Sequence, residues 1–495
     1  MRGLNARLAR IVYGEQTPAE ITAELGLTSR VDQAHIVMLT ERGLLPAGDA
    51  AALLRLIDRL RRDDFRPLHG TPAPRGRYLA YERHLIDTLG AEAGGRLHTG
   101  RSRNDLKATA TALRLRSTTL DLLGELTRLQ AVLLSRARAH RDVVMPIYTH
   151  HQAAMPAGYG FYLLGVAVAL GRDAEALVQA AGGLRRCPLG AGAVAGSDLP
   201  LDPARTAALL GFEAGPMHAL DAVASRDVPL RVLAAAAGAG LTLSRLAADM
   251  QLWSTAEFGF LRFPDGLVGG SSAMPQKRNA FLLEHVKARP AAAIGAWAAA
   301  AGAVKAAPFT NSIEVGTEAV AMVWPGLAAV ADTVVLARAL VSGARPCPER
   351  MLARAEEGFV TATVLANRLV RHGMPFRSAH ERVGEAVNRA IAAGSTRLSA
   401  ADLVGDPAEP GDLAELGDLA ELGDLAEVGD LAEVGDLAEV VREHRVGGGP
   451  GAFETAFETA RAELAAHRTW LCERRARLAA AADELAAATR QIMEG

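Results

Sequence analysis

The chain has 495 residues, 49% of them hydrophobic and 22% charged, with a formal net charge of -2. That length exceeds what one core holds, so two or three domains are expected. The near-neutral balance speaks against nucleic acid or an acidic membrane surface as partner.

The opening stretch, MRGLNARLARIVYGEQ, has no continuous apolar segment, so no secretory signal is expected there. Up to about residue 100, short helical patterns alternate with loops, interrupted by HGTPAPRG at 69–76. From Asn104 the pattern changes. Leu115, Leu122, Leu126, Leu129 and Leu133 fall on one face of a long helix, which Pro146 ends. Further helical runs are predicted from Pro156 to about Arg186, from Val228 to Trp253, from Phe281 to Val304 and from Glu314 to Val341, with Pro325 a kink. The glycine-rich stretches CPLGAGAVAGS and FPDGLVGGSSAMPQKRNA read as loops between them. No uncharged apolar run of about 18 residues has membrane character. The nearest, Ala291 to Val304, is short and rich in Ala and Gly.

Long helices with few strand signals predict an all-α extended bundle. Several carry apolar residues on more than one side and must be buried all round, which predicts packing against other copies of the chain. Cys187, Cys347 and Cys472 are odd in number and far apart, so they imply neither a disulfide framework nor a metal site. A cytoplasmic protein is expected. Residues 411–440 are five tandem hexapeptides, GDLAEL twice and GDLAEV three times, after a degenerate GDPAEP at 405–410. Gly every sixth residue weakens a helix by about 1 kcal/mol each time. The repeat reads as a loosely looped surface insertion or a short partner-binding element, without catalytic role.

Three segments have the composition for chemistry. In GGSSAMPQKRN (269–279), glycines permit close backbone approach, and Ser271, Lys277 and Asn279 supply a hydroxyl, an ammonium and an amide fit to hold a carboxylate. A plain surface loop has the same composition. In HTGRSRND (98–105), Ser102, Arg103 and Asn104 gather donors at a helix start, either an anion site or only a cap. In YTHHQ (148–152), His150 and His151 sit beside Thr149 and Gln152, after Pro146 and ahead of another predicted helix. Histidine exchanges protons near neutral pH, although a lone one is most often structural.

Taken together, and with LGAGAVAG (189–196), DAVASRD (221–227), STAEFGF (254–260) and GMPFRSAHE (373–381), these segments resemble argininosuccinate lyase, of the fumarase/aspartase superfamily. The resemblance spans roughly residues 30–400. It implies a three-domain helical fold: an N-terminal helical domain (1–103), a central long-helix bundle (104–360), and a C-terminal helical domain (361–495) carrying the repeat at 405–440. The central helices of four chains would form one bundle, with each active site drawn from three chains and no metal or organic cofactor. The implied reaction releases fumarate from an N-succinyl compound. Ser271 would take the proton, Lys277 and Asn279 hold the carboxylate whose charge grows, and Ser102, Arg103, Asn104 and Thr149 position the diacid. His150 would protonate the leaving nitrogen, with Glu284 of another chain orienting it. Gln152, Arg226 and Glu314 complete the substrate-binding set.

The departures from that pattern gather on the amine half. Where argininosuccinate lyases read like TYNRDLQEDKE, this chain has PFTNSIEVGTE (308–318), with no Tyr, Glu314 for Gln and Thr317 for Lys. Asp32 stands where Ser is usual, Tyr78 where His is common, Met155 for Gln and Ala280 for Pro. Two expectations follow: an argininosuccinate lyase, or the same elimination on a different N-succinyl amine, guanidine or hydrazine. An inactive structural relative, as among lens crystallins of this family, is the third reading.

Overall fold

The structure, a computed structural model, describes residues 5–73, 76–398, 402 and 435–495; the repeat units at 405–434 lie outside the described residues. The N-terminal part folds as α1 (Ala6–Tyr13), α2 (Pro18–Glu41), α3 (Ala47–Arg62) and α4 (Arg77–Gly95) around a core of Ile21, Leu25, Leu53, Leu54, Ile57 and Tyr81. Thr17 starts α2 with a reciprocal capping box to Glu20.

The predicted leucine stripe closes α5 (Arg103–Ala139), 37 residues and about 55 Å at the helical rise. All five leucines are buried, each contributing about 1.5–3 kcal/mol by removal from water. The chain then forms a hairpin, β1 (Val144–Thr149) and β2 (Gln152–Gly158), before α6 (Tyr159–Ala181). Gly160 is required where α6 meets α5: a Cβ there would lie 2.3 Å from the Ala137 carbonyl oxygen. After α7 (Pro203–Leu209) and α8 (Ala219–Ala224) comes α9 (Asp227–Trp253). The run predicted over 281–304 is two helices, α10 (Phe281–Ala288) and α11 (Pro290–Val304), because Pro290 restarts the helix. The run predicted from Glu314 begins with a π turn, Glu314–Glu318, and continues as α12 (Ala319–Gly343), which contains Pro325 as a single helix. The π turn lets five residues bulge at the helix start, a distortion common at functional sites.

Helices α5, α6, α9, α11 and α12 pack on one another and enclose the main core. By length and composition alone, α9 and the segment Glu314–Gly343 are apolar enough to cross a membrane, although both carry charged residues and neither is an uncharged run of about 18. Both are core helices of this bundle, about half buried within it. One face of α11 stays uncovered, with Ile294 and Trp297 exposed; Leu241 on α9 and Val335 on α12 are exposed as well.

Strand β3 (Leu261–Arg262) pairs with β4 (Arg345–Pro346), followed by α13 (Pro348–Glu356), α14 (Ala362–Arg371) and α15 (Phe376–Ala392). Helix α16 (Leu437–Glu443) begins in the last repeat unit. The Asp436 carboxylate accepts from the Ala438 N–H at 2.9 Å, and Leu437 and Val441 pack on Val144 of β1 and Ala355 of α13. That unit is therefore a docked helix start, not the loose loop expected for the repeat. The last helix, α17 (Phe453–Glu494), runs 42 residues back along α5 and α6 to α3. Cys187, Cys347 and Cys472 are free thiols.

Candidate active site

The candidate residues fall into three groups held by different elements. The first lies at the start of α5. Ser102 is its N-cap: the hydroxyl oxygen accepts from the Asn104 N–H at 3.2 Å, and the Asp105 carboxylate accepts from the Ser102 N–H at 3.0 Å. Asp105 is fully buried and also accepts from the N–H groups of Gly190 and Gly192, at 3.1 and 2.9 Å. The Asn104 side-chain amide donates to the Ala193 carbonyl at 3.1 Å. So the helix start and the 189–196 loop are one unit. Gly192 adopts φ 61, and a Cβ there would lie 2.4 Å from the Gly196 carbonyl oxygen. Asp105 was not singled out in the sequence. Its capping role is legible from the Ser-x-x-Asp spacing, but its reach to 190–192 is tertiary.

Beneath this segment the unusual residues Asp32 and Tyr78 meet. Arg101 forms an ion pair with the Asp32 carboxylate at 2.6 Å and donates to the Tyr78 hydroxyl at 3.1 Å, and both charged side chains are wholly buried. Burial opposes both charges, and Asp32 and Tyr78 together more than offset this for Arg101, holding its guanidinium above the usual range. The two departures are thus the floor under the 98–105 segment rather than groups facing a ligand. Burial, helped by Arg101 and Arg103, pushes His98 down to about 4, and its Nδ1 lies 3.0 Å from the Tyr78 hydroxyl.

Arg226 reaches the same end of the bundle from the start of α9, and the π turn brings Glu314 and Thr317. Lys107, one turn into α5, donates to the Thr317 hydroxyl. The position read as a lost cation therefore has an ammonium against it, supplied by a residue the sequence reading passed over. Beside Arg226 opens a cavity of about 510 Å³, bounded by Ala108, Arg186, His218, Asp221 and Ser225.

The second group sits beyond the opposite end of α5. Thr149 pairs with Gln152 across the β1–β2 hairpin, so His150 and His151 form its two-residue tip, with φ 50 and 61. The segment ahead of the predicted helix is thus a strand turn. Left-handed backbone at two successive non-glycine residues costs on the order of 1–2 kcal/mol each, and such strain clusters at functional positions. Thr149, His150 and Gln152 are all exposed.

The third group is the glycine loop. Gly269 and Asn279 exchange both backbone hydrogen bonds at 2.8 Å, which pins the loop at its base. Between them, the Ser271 hydroxyl oxygen accepts from the N–H groups of Ala273 and Met274, at 3.3 and 3.1 Å. Lys277 is exposed, and Arg278 pairs with Asp265. Glu284, on α10, accepts from the Gln251 side-chain amide at 3.2 Å near the end of α9. Gln251 is 25 residues along α9 from Arg226, about 38 Å at the helical rise. One chain therefore gathers Ser102, Arg103, Asn104, Arg226 and Glu314 at one end. It keeps Thr149, His150 and Gln152, and separately Ser271, Lys277, Asn279 and Glu284, at the other.

This geometry has known counterparts. Residues 41–295 match the family described as Lyase, and residues 359–406 match the argininosuccinate lyase C-terminal family. The argininosuccinate lyase of Methanoculleus marisnigri is 39% identical over 368 residues, 72% of this chain and 73% of that one. A solved EDDS lyase variant with bound fumarate superposes with a TM-score of 0.85 at 28% identity, covering 96% of this chain and 93% of that one. A class II fumarase from Schistosoma mansoni shares the fold alone: TM-score 0.69, 16% identity, 88% and 96% coverage. Fold and sequence thus define a helical carbon–nitrogen lyase with the fumarase/aspartase architecture. Within that class the chain belongs to the argininosuccinate lyase family.

Proposed function

We propose that the chain splits argininosuccinate into arginine and fumarate by anti β-elimination. The observation that carries this reading is the pair of backbone N–H groups aimed at the Ser271 hydroxyl oxygen in a glycine-flanked loop. Donors to an oxygen favour its anionic form, which is what a serine needs to act as a base. Ser271 removes the carbon-bound proton on the succinyl carbon next to the one bearing nitrogen. That electron pair becomes the new double bond, the C–N bond breaks toward nitrogen, and His150 supplies the nitrogen's proton. Negative charge grows on the adjacent carboxylate, where Lys277 and Asn279 hold it. Ser102, Arg103, Asn104 and Thr149 position the diacid, Gln152, Arg226 and Glu314 line the rest of the substrate, and Glu284 orients His150 from another chain.

No single chain assembles this set, so the site is drawn from several copies in a homotetramer, each site shared among three chains. The uncovered apolar faces of α9, α11 and α12 support that association. We place the enzyme in the cytoplasm. The same elimination on another N-succinyl amine remains the second reading, favoured by Glu314, Thr317 and the missing Tyr in 308–318. Incubating the protein with argininosuccinate while following the ultraviolet absorbance of fumarate separates the two. Rapid fumarate release is expected. Failure with argininosuccinate, together with release from a different N-succinyl amine, would overturn the substrate assignment while leaving the reaction class intact.

A further inference from the structure

Away from the candidate active site, four guanidinium groups converge on a small cleft between α5, the end of α6, the turn after α7, and α17. Arg116 of α5 donates to the Leu210 and Gly211 carbonyls at 2.7 and 3.1 Å and lies 4.3 Å over the Phe212 ring. Arg474 and Arg477, three residues apart on one face of α17, both pair with Glu213, the second at 2.9 Å. Arg185, just past α6, is held by its Nε donating to the Gly182 carbonyl at 3.0 Å. These residues line a cavity of about 30 Å³, more than a single water molecule needs. One carboxylate therefore faces four guanidinium groups, and Arg116 and Arg185 form no ion pair among the described residues. Burial first, and then the charge of Arg30, hold the Arg116 guanidinium down at about 10, with Arg474 adding to the repulsion. A cleft with such an excess of one sign concentrates anions. Arg116 is 13 residues along α5 from Arg103, about 20 Å at the helical rise, so the cleft is separate from the groups assigned to the diacid.

We infer that this cleft binds a compact tetrahedral dianion, inorganic phosphate or the phosphate end of a small metabolite, gripped by Arg116, Arg185, Arg474 and Arg477. Guanidinium forks match phosphate oxygens two at a time, and the single charge of Glu213 leaves most of theirs uncompensated. The cleft also shares a wall with the cavity beside Arg226: Leu184, Arg185 and Glu213 border both. The Glu213 N–H donates to the Arg185 carbonyl and the Cys187 N–H to the Ala214 carbonyl, each at 2.8 Å, so 185–187 and 213–214 form one short ladder. An anion that fixes Arg185 and Glu213 against α17 braces that wall and reaches the substrate cavity through it. This coupling rests on the reading above that the Arg226 end faces the substrate; the binding itself does not.

The test is isothermal titration calorimetry of the full chain with inorganic phosphate and with glycerol 3-phosphate, at constant ionic strength in potassium chloride and with fumarate saturating. Phosphate is expected to bind with a Kd of about 1 mM or tighter. Arg474→Gln and Arg477→Gln should each weaken it at least about tenfold; Arg477 is exposed, so its variant keeps the fold. Glu213→Gln should tighten it about fivefold, because the resident negative charge is gone. Glycerol 3-phosphate binding as tightly as phosphate or better assigns a phosphorylated metabolite, and weaker binding assigns the free ion. No heat from either ligand, or the same Kd in both arginine variants as in the parent, would overturn the site. For the coupling, phosphate should lower KM for argininosuccinate about threefold in the parent and leave it unchanged in Arg477→Gln. A KM that stays the same or rises in the parent would overturn the coupling and leave the site. Fumarate released from no N-succinyl compound would instead remove the lyase reading and the coupling with it, while the calorimetric result stands.

Discussion

At the scale of single residues, the proposed chemistry depends on a serine oxygen placed under two N–H groups and on a histidine at an exposed hairpin tip. Ser271→Ala should leave folding intact and lower turnover by about 10²- to 10⁴-fold, the usual contribution of a positioned base; near-normal kcat would remove Ser271 from the proton transfer. His98 makes a separate prediction about stability. Its folded-state pKa, about 4, lies below the ordinary value of 6.5, so in the fold it stays neutral where the unfolded chain takes up a proton. Unfolding therefore binds a proton between those values, and stability contributed by neutral His98 is lost as pH falls through that window. Thermal unfolding followed from pH 6.5 to 4 should show less acid sensitivity in His98→Gln than in the parent. The residues hardest to read from sequence were those whose partners lie far along the chain. Asp105 stands in a motif full of ligand-like groups, yet it serves the backbone of Gly190 and Gly192. Lys107 looks like an ordinary helix-surface lysine until Thr317 is brought against it.

Among the elements, α5 was legible because a seven-four-three-four leucine spacing has only one physical solution, and all five side chains are buried. Segment 144–158 was not legible as a hairpin. Its turn is His-His rather than a glycine-containing pair, and its strands carry Pro146 and Pro156 opposite each other, which weakens any strand signal. The break at Pro290 and the π turn at 314–318 are local departures inside apolar runs that periodicity alone reads as continuous. The repeat divides at its last unit. Because Leu437 of that unit packs on β1 and α13, deleting residues 411–434 should leave fumarate release and the melting temperature nearly unchanged. Extending the deletion through residue 440 should lower the melting temperature, since about 2–5 kcal/mol accompanies loss of a buried leucine side chain. Equal melting temperatures for the two deletions would show that the docked unit contributes nothing.

For the whole molecule, the bundle holds its candidate groups at opposite ends and leaves apolar helix faces uncovered, and both facts have the same solution if copies pack side by side in opposed directions. Trp297→Glu, on the uncovered face of α11, should shift the protein to smaller species in light scattering at unchanged helical content and abolish turnover with dissociation; a full-size, active variant would place the contact elsewhere. The most direct measurement is complementation between two inactive variants, Ser271→Ala and His150→Asn, the latter chosen because Asn tolerates the left-handed backbone at the hairpin tip. Each alone should release fumarate at a small fraction of the parent rate. Co-expressed, they should recover a substantial share of it, because some sites in a mixed assembly draw an intact serine and an intact histidine from different chains. Mixed assemblies that form and stay inactive would contradict a site built across chains.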